Sequence, residues 1–260
     1  MKCPKCSFEQ ADQNIECVHC GLIFEKYRKY QESKEGFQET DKDEEQDVSI
    51  TYKDPISLKA FIQNIFFYVN EETIPVVFGV RALFFVVFLI WGIIFIITPL
   101  EKNLTGQSLW HLVNLPFHEF GHIAFRPFGR LITSLGGSLG QLLMPFICLL
   151  VFLIKTRDTF AASFTLWWLG ENFMDLAPYI NDARSLTMPL LGGNTGRTSP
   201  YGFHDWEFIL NETGLLRHDH TLAFFSHRLG SFLMILSFIW GGYILFKQMK
   251  NLAGQKNLNR

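Results

Sequence analysis

Long charge-free apolar runs, a heavy load of phenylalanine and two C-x-x-C pairs near the N-terminus together predict the fold class. It is mainly α, a polytopic helical membrane domain preceded by a small zinc ribbon. The chain has 260 residues, 48% hydrophobic and only 18% charged, with 27 Phe, which excludes a wholly disordered or fibrous protein. A net charge of -2, from 23 basic and 25 acidic residues, lays no basic field over the molecule and leaves no strong nucleic-acid signal. The mean hydropathy of +0.13 is high for a soluble protein.

The apolar runs set the elements. Ala82 to Leu100 carries no charge, and with Val76 to Val80 ahead of it the stretch can cross roughly 30 Å of hydrocarbon. Five hydrophobic segments are read, near 76–98, 109–125, 132–154, 159–178 and 221–246. The second and fourth hold ionisable residues in their interiors, which a bilayer tolerates only where they face protein or water, so these two are the functional segments. The order along the chain is a ribbon over 1–30, an acidic linker over 31–54, the membrane domain over 55–250 and a tail over 251–260. Met1-Lys-Cys-Pro has no apolar stretch of the kind a secretory signal needs, so the N-terminus is expected in the cytoplasm. With that orientation five spans would place Lys155, Arg157 and the basic tail outside, against the positive-inside tendency; either one segment is re-entrant or a further span exists.

Cys3-Pro-Lys-Cys6 and Cys17-Val-His-Cys20, with ten residues between them, have the spacing for four thiolates around one structural zinc. A reducing compartment favours metal over two disulfides. Cys148, alone in an apolar segment, reads as core packing, and His19 as a solvated neighbour of a ligand set already complete. Cys17-Val-His-Cys-Gly-Leu-Ile-Phe-Glu-Lys-Tyr resembles the short N-terminal zinc ribbons of bacterial proteins, which bind protein or nucleic acid or simply fold. A cytoplasmic protein partner for the ribbon is therefore an expectation. From Glu32 to Asp47 eight acids stand against Lys34 and Lys42, a polar linker. Residues 56–69 place apolar side chains at helical spacing, suited equally to the membrane surface and to packing on the spans.

His118-Glu-Phe-Gly-His122 is an H-E-x-x-H pattern. On a helix its histidines stand one turn apart on one face, able to share a metal, while Glu119 reaches a water activated there. Zinc would bring that water's pKa toward about 7, and Glu119 would take its proton and pass it to the leaving amine. Three ionisable side chains packed into one turn of an apolar stretch would cost several kcal/mol without a metal or partners. A catalytic zinc takes a third protein ligand. Glu171 and Asp175, four residues apart and so on one helical face, are the candidates, and either could meet the histidines. Asp182, beyond Pro178, stands near the membrane boundary, with a turn or cap role as its other reading.

An H-E-x-G-H helix in a membrane segment, followed some fifty residues later by an intramembrane Asp, resembles the site-2 protease family of intramembrane zinc metalloproteases. The likeness covers about 109–182. It implies His118, His122 and Asp175 as zinc ligands, Glu119 as the base and Asn172 near the site. Met174-Asp-Leu stands where the family has Leu-Asp-Gly, and Asn172 is not followed by Pro. Glu171-x-x-x-Asp175 is also similar to the Glu-x-x-x-Asp of gluzincin metalloproteases, which would make Glu171 the ligand and Asp175 a support. The function expected is hydrolysis of a peptide bond in a membrane-associated protein at the bacterial inner membrane, with one catalytic and one structural zinc. The alternatives are a non-proteolytic membrane adaptor and a di-iron hydroxylase, the latter short of the repeated histidine clusters such enzymes use.

Leu135-Gly-Gly-Ser-Leu-Gly-Gln141 is dense in glycine. It reads as a re-entrant loop or strand beside the site, or more simply as close helix packing through small residues. The run from Gly192 to Gly202 reads as a loop. His204-Asp-Trp, Arg217-His-Asp-His220 and His227-Arg228 read mostly as solvated or interfacial groups.

Overall fold

The computed structural model describes residues 1–12, 14–35, 57–70 and 73–258. Most of the acidic linker lies outside them. The chain divides into two units, Met1–Pro55 and Ile56–Arg260.

The first unit is built from one hairpin used twice. The Cys3 N–H donates to Phe8 O (2.9 Å) and the Ser7 N–H to Cys3 O (2.9 Å); the same pattern returns as Cys17 to Leu22 O (2.9 Å) and Gly21 to Cys17 O (2.8 Å). Each turn closes on a left-handed residue, Ser7 at φ 60° and Gly21 at φ 66°, a conformation that glycine adopts without penalty. The short bridges Lys2–Glu9 and Glu16–Ile23 finish the hairpins. Helix α1 (Phe24–Glu35) follows directly and carries helix into the start of the expected linker. His19 is exposed and stacks on Phe8 at 5.2 Å.

The second unit is helical: α2 (Leu58–Phe66), α3 (Pro75–Ile97), α4 (Leu109–Phe125), α5 (Arg130–Leu150), α6 (Thr159–Asn181), α7 (Asp205–Glu212) and α8 (Asp219–Leu258). Helices stand on all five expected apolar segments, and α8 runs on through the expected tail. Three helical stretches, Pro75–Ile97, Arg130–Lys155 and Leu216–Gln255, are long and apolar enough to cross a membrane, as expected of a membrane protein.

Two helices of equal length occupy opposite environments. Only Phe88, Gly92 and Phe95 of α3's 23 residues are buried, and Val76, Leu83, Ile90 and Ile97 stand exposed. Sixteen of α6's 23 are buried, among them Glu171, Asn172 and Asp175. A carboxylate at a helix centre in hydrocarbon costs about 2.5–3.5 kcal/mol, whereas an exposed Leu, Ile, Phe or Val there contributes roughly -0.3 to -0.6. That difference places α6 inside and α3 outside.

Helix α8 packs along α6 at near backbone contact: a Cβ on Gly170 would lie 2.7 Å from Gly230 O. Helices α4 and α5 pack as closely, since a Cβ on Gly121 would lie 2.0 Å from Gly136 O and one on Gly140 2.4 Å from Phe117 O. The glycine-dense run is thus continuous helix within α5, and close packing is what Gly136 and Gly140 serve. A π-helical turn, Val151–Lys155, ends α5; Asp158 then caps α6 and pairs with Arg81 of α3 at 2.7 Å.

Helix α4 does not begin at the end of the bundle. Trp110, in its first turn, packs against Phe88, Trp91 and Trp167, midway along α3 and α6. The chain after α3 therefore turns back along the bundle before α4 starts. Trp240 Nε1 donates to Phe66 O (2.7 Å), Lys247 Nζ to Phe67 O (3.1 Å) and Arg157 Nη2 to Asn64 O (3.2 Å). Arg157, Lys247 and α2 thus share the end of the bundle at which α3 begins. Helix α2 buries no residue and holds Leu58, Phe61 and Ile62 exposed, while residues 65–69 pack on the spans. The packing expected of this segment is thus made by its second half alone.

Candidate metal centre

Two groups of side chains among the described residues can each hold a metal ion: Cys3, Cys6, Cys17 and Cys20, and His118, His122 and Asp205. In the first, Sγ atoms of Cys3 and Cys20 are 3.7 Å apart and those of Cys6 and Cys17 3.6 Å. A disulfide would need about 2.05 Å. Four thiolates about 2.3 Å from one zinc stand about 3.8 Å from each other, so the cluster is compatible with a zinc ribbon. Burial works to raise the Cys3 thiol, but the backbone N–H groups of Cys6 and Lys5 with the Cys17 and Cys6 thiols bring it down to about 6, while Cys6, despite its bond from the Phe8 backbone, is pushed up to about 12 by burial and the neighbouring thiols.

The second group lies within the helical unit. Helix α4 presents His111, Asn114, His118 and His122 along one face, at the i, i+3, i+7, i+11 spacing of a helical stripe. The Nε2 atoms of His118 and His122 each stand 3.3 Å from Asp205 Oδ2. Ligands about 2.0–2.1 Å from a tetrahedral metal are about 3.3–3.4 Å apart, so these residues fit a metal. The other ring nitrogens are already engaged. His122 Nδ1 donates to Thr133 O (2.8 Å) and His118 Nδ1 to Gln141 Oε1 (2.7 Å), an arrangement that leaves each Nε2 lone pair facing the centre. Gly137 supplies the space: a Cβ there would lie 2.5 Å from both Nε2 atoms.

Asp205 is fixed from several sides. Ser134 Oγ donates to its Oδ1 (3.1 Å), and its backbone N–H donates to Tyr179 Oη (2.9 Å). His204 caps α7 by accepting the Glu207 N–H on Nδ1 (3.1 Å), which turns its Nε2 toward Asp182 Oδ2, 3.4 Å away. Asp182 in turn accepts from the N–H groups of Thr187 (3.0 Å) and Met188 (2.9 Å) and from Thr187 Oγ1 (2.9 Å). Burial opposes its ionisation, but the bonds from Ser185, Met188 and Thr187 bring its pKa below the ordinary carboxylate value. Asp182 is therefore a turn organiser for the loop that delivers Asp205.

The expected third ligand is corrected by these positions. Asp175 is not in the histidine cluster; both its oxygens lie 3.1 Å from His111 Nδ1, and Asn114 Nδ2 donates to its Oδ2 at 3.2 Å. Glu171 accepts from Asn114 at 2.8 Å, so the gluzincin-like alternative is not formed either. Asn172 turns back on its own helix, donating to Trp168 O (2.9 Å). The physical reason is a turn of offset: the residues of α6 nearest His118 are those around Tyr179, whose ring centroid is 6.3 Å from that of His118, and Asp175 meets the stripe at His111. His204, Asp205 and Asp219, expected in solvated or interfacial clusters, are buried, Asp219 against Arg184 at 2.7 Å.

A cavity of about 830 Å³ joins the two polar groups, lined among others by His111, His118, Glu119, His122, Asp175 and Asp205. Asp205, Gln141, Ser134 and Tyr179 were not anticipated as site residues. For Asp205 one signal existed, an acid at the head of the amphipathic run Trp206–Leu210 and directly after a histidine. No protein-family model, curated protein or solved structure matches the chain, so the site is read from its own geometry.

Proposed function

We propose that this chain is an intramembrane zinc metalloprotease that hydrolyses a peptide bond of a membrane-associated protein. The observation that carries the reading is the His118–His122–Asp205 cluster, with ligand atoms at metal-chelating separations and Glu119 on the wall of the same cavity. Its setting among helices of spanning length fits a substrate drawn from the bilayer.

His118, His122 and Asp205 would hold the catalytic zinc, and the four cysteines a structural one. A bound zinc supplies Lewis acidity, polarising the scissile carbonyl and easing ionisation of water. Glu119 takes a proton from the attacking water and returns it to the leaving nitrogen, the exchange its position beside the two histidines allows. Gln141 and Thr133 keep the histidine rings turned so that only Nε2 faces inward. The N-terminal unit, with four free thiols, belongs on the cytoplasmic side of a bacterial inner membrane.

The test compares wild type with Glu119→Gln on a membrane-tethered peptide substrate, with metal analysis of both. Two zinc ions per chain and a fall of at least about a hundredfold in turnover, with both ions retained, are expected. Loss of an ion with the activity would make Glu119 a ligand. A single ion, held by the cysteines, would favour the adaptor reading.

A further inference from the structure

The hydroxyl of Tyr179 is partly unused. Its oxygen accepts the Asp205 N–H at a good 2.9 Å, but its own proton finds only Asp205 Oδ2, at 3.3 Å. Hydroxyl donors lie 2.5–3.0 Å from their acceptors, and about 2.5–2.7 Å from a carboxylate, so this contact is several tenths of an ångström too long to satisfy the donor. The acceptor also has another claim on it, because the same Oδ2 lies 3.3 Å from both histidine Nε2 atoms and would face the metal they hold. The phenol is held in place: its ring packs against that of His204 at 4.3 Å, tilted by 43°, and the oxygen is tied to the backbone of α7. Tyr179 thus holds a rigid, under-engaged O–H beside a metal-ligating atom, on the wall of the cavity that also bears Glu119.

We propose that Tyr179 is a catalytic hydrogen-bond donor of this site, whose hydroxyl stabilises the negative oxygen formed on the substrate carbonyl during hydrolysis. The inference rests on the protease reading and adds a residue to it. As the water oxygen bonds to the carbonyl carbon, one water proton passes to Glu119 and the C=O π pair moves onto the carbonyl oxygen. That oxyanion is a stronger acceptor than an Oδ2 engaged by the metal, and the Tyr179 O–H turns to it without transferring its proton. The pair then returns to reform the carbonyl, the C–N bond breaks, and the proton held by Glu119 goes to the leaving nitrogen. A donor used only when charge develops acts on kcat, leaving ground-state binding unchanged.

The test uses the full zinc-loaded chain and its Tyr179→Phe variant, with two readouts: zinc per chain, and affinity for a peptide phosphonate compared with the parent uncharged peptide. The phosphonate stands in for the tetrahedral anion. Expected are unchanged zinc, unchanged affinity for the parent peptide, at least tenfold weaker phosphonate binding and roughly a hundredfold lower kcat, the size of one oxyanion donor. Loss of one zinc in Tyr179→Phe would make the tyrosine a holder of Asp205 and overturn the proposal, as would unchanged phosphonate affinity. If Tyr179→Phe does not fold, 3-fluorotyrosine at position 179 keeps both contacts with a more acidic O–H and should bind the phosphonate more tightly; no gain would overturn the proposal. Wild-type protein that carries both zinc ions yet ignores the phosphonate and cleaves no peptide would instead bring down the protease reading, and this inference with it.

Discussion

The two metal-ligating clusters are assembled in opposite ways. The cysteine cluster closes within the first 20 residues, and its longest thiol pair, Cys3 with Cys20, spans 17 positions. The backbone of each hairpin aims its own sulfurs. The histidine cluster joins residues 87 positions apart and needs three helices at once: α4 for the imidazoles, α5 for Gly137, Gln141 and the Thr133 carbonyl, and α7 for the carboxylate. A cluster of the first kind forms with its metal as a local folding event. A cluster of the second kind is only as good as the packing of the helices that bring it together.

The sharpest way to break that comparison is at the ribbon. Cys17→Ser should leave the N-terminal unit unfolded in zinc, read by circular dichroism of a peptide of about the first 30 residues, while the helical unit of the full chain keeps its own ion. Loss of both ions would mean that the clusters depend on each other. Next in size is Asp205→Ala, which should remove the ion of the helical site and abolish turnover, with the cysteine-bound ion retained on metal analysis. Retention of both ions would return the third-ligand role to another residue.

Gly137→Ala tests whether packing limits the second cluster. With a methyl 2.5 Å from both Nε2 atoms, metal affinity there should drop at least about tenfold by competition with a chelator. The helices should still assemble, because the clash is with the metal's space and the ends of two side chains. Unchanged affinity would show that the α4–α5 contact is looser than its backbone distances imply. The smallest effect on metal is expected for Asp175→Asn, within about twofold of wild type, since that carboxylate serves His111 and Asn114; a lost ion would contradict its position here.

Much of this molecule was legible in one dimension. The cysteine spacing located the ribbon, the apolar runs located α3, α4, α5, α6 and α8 but not the short α7, and His118, Glu119 and His122 announced themselves by their one-turn spacing, all of which are local properties of backbone geometry. Carboxylates in a membrane segment also had to be interior, as Glu171 and Asp175 are.

The third ligand was beyond that reach. Periodicity places a residue on a face of its helix, but not at a depth opposite another helix, and depth decided the matter. Because α4 starts midway along the bundle, Asp175 meets His111 and Tyr179 meets His118, so the ligand position is left to a residue arriving on a loop. The Asp182–His204 contact and the Tyr179 anchor determine where that loop ends. Gly137, which sequence could mark only as small, becomes the room for a metal once α5 lies against α4. Local spacing determined which groups could bind a metal; interhelical register, set by glycine contacts and by the cost of exposing charge to lipid, decided which of them meet.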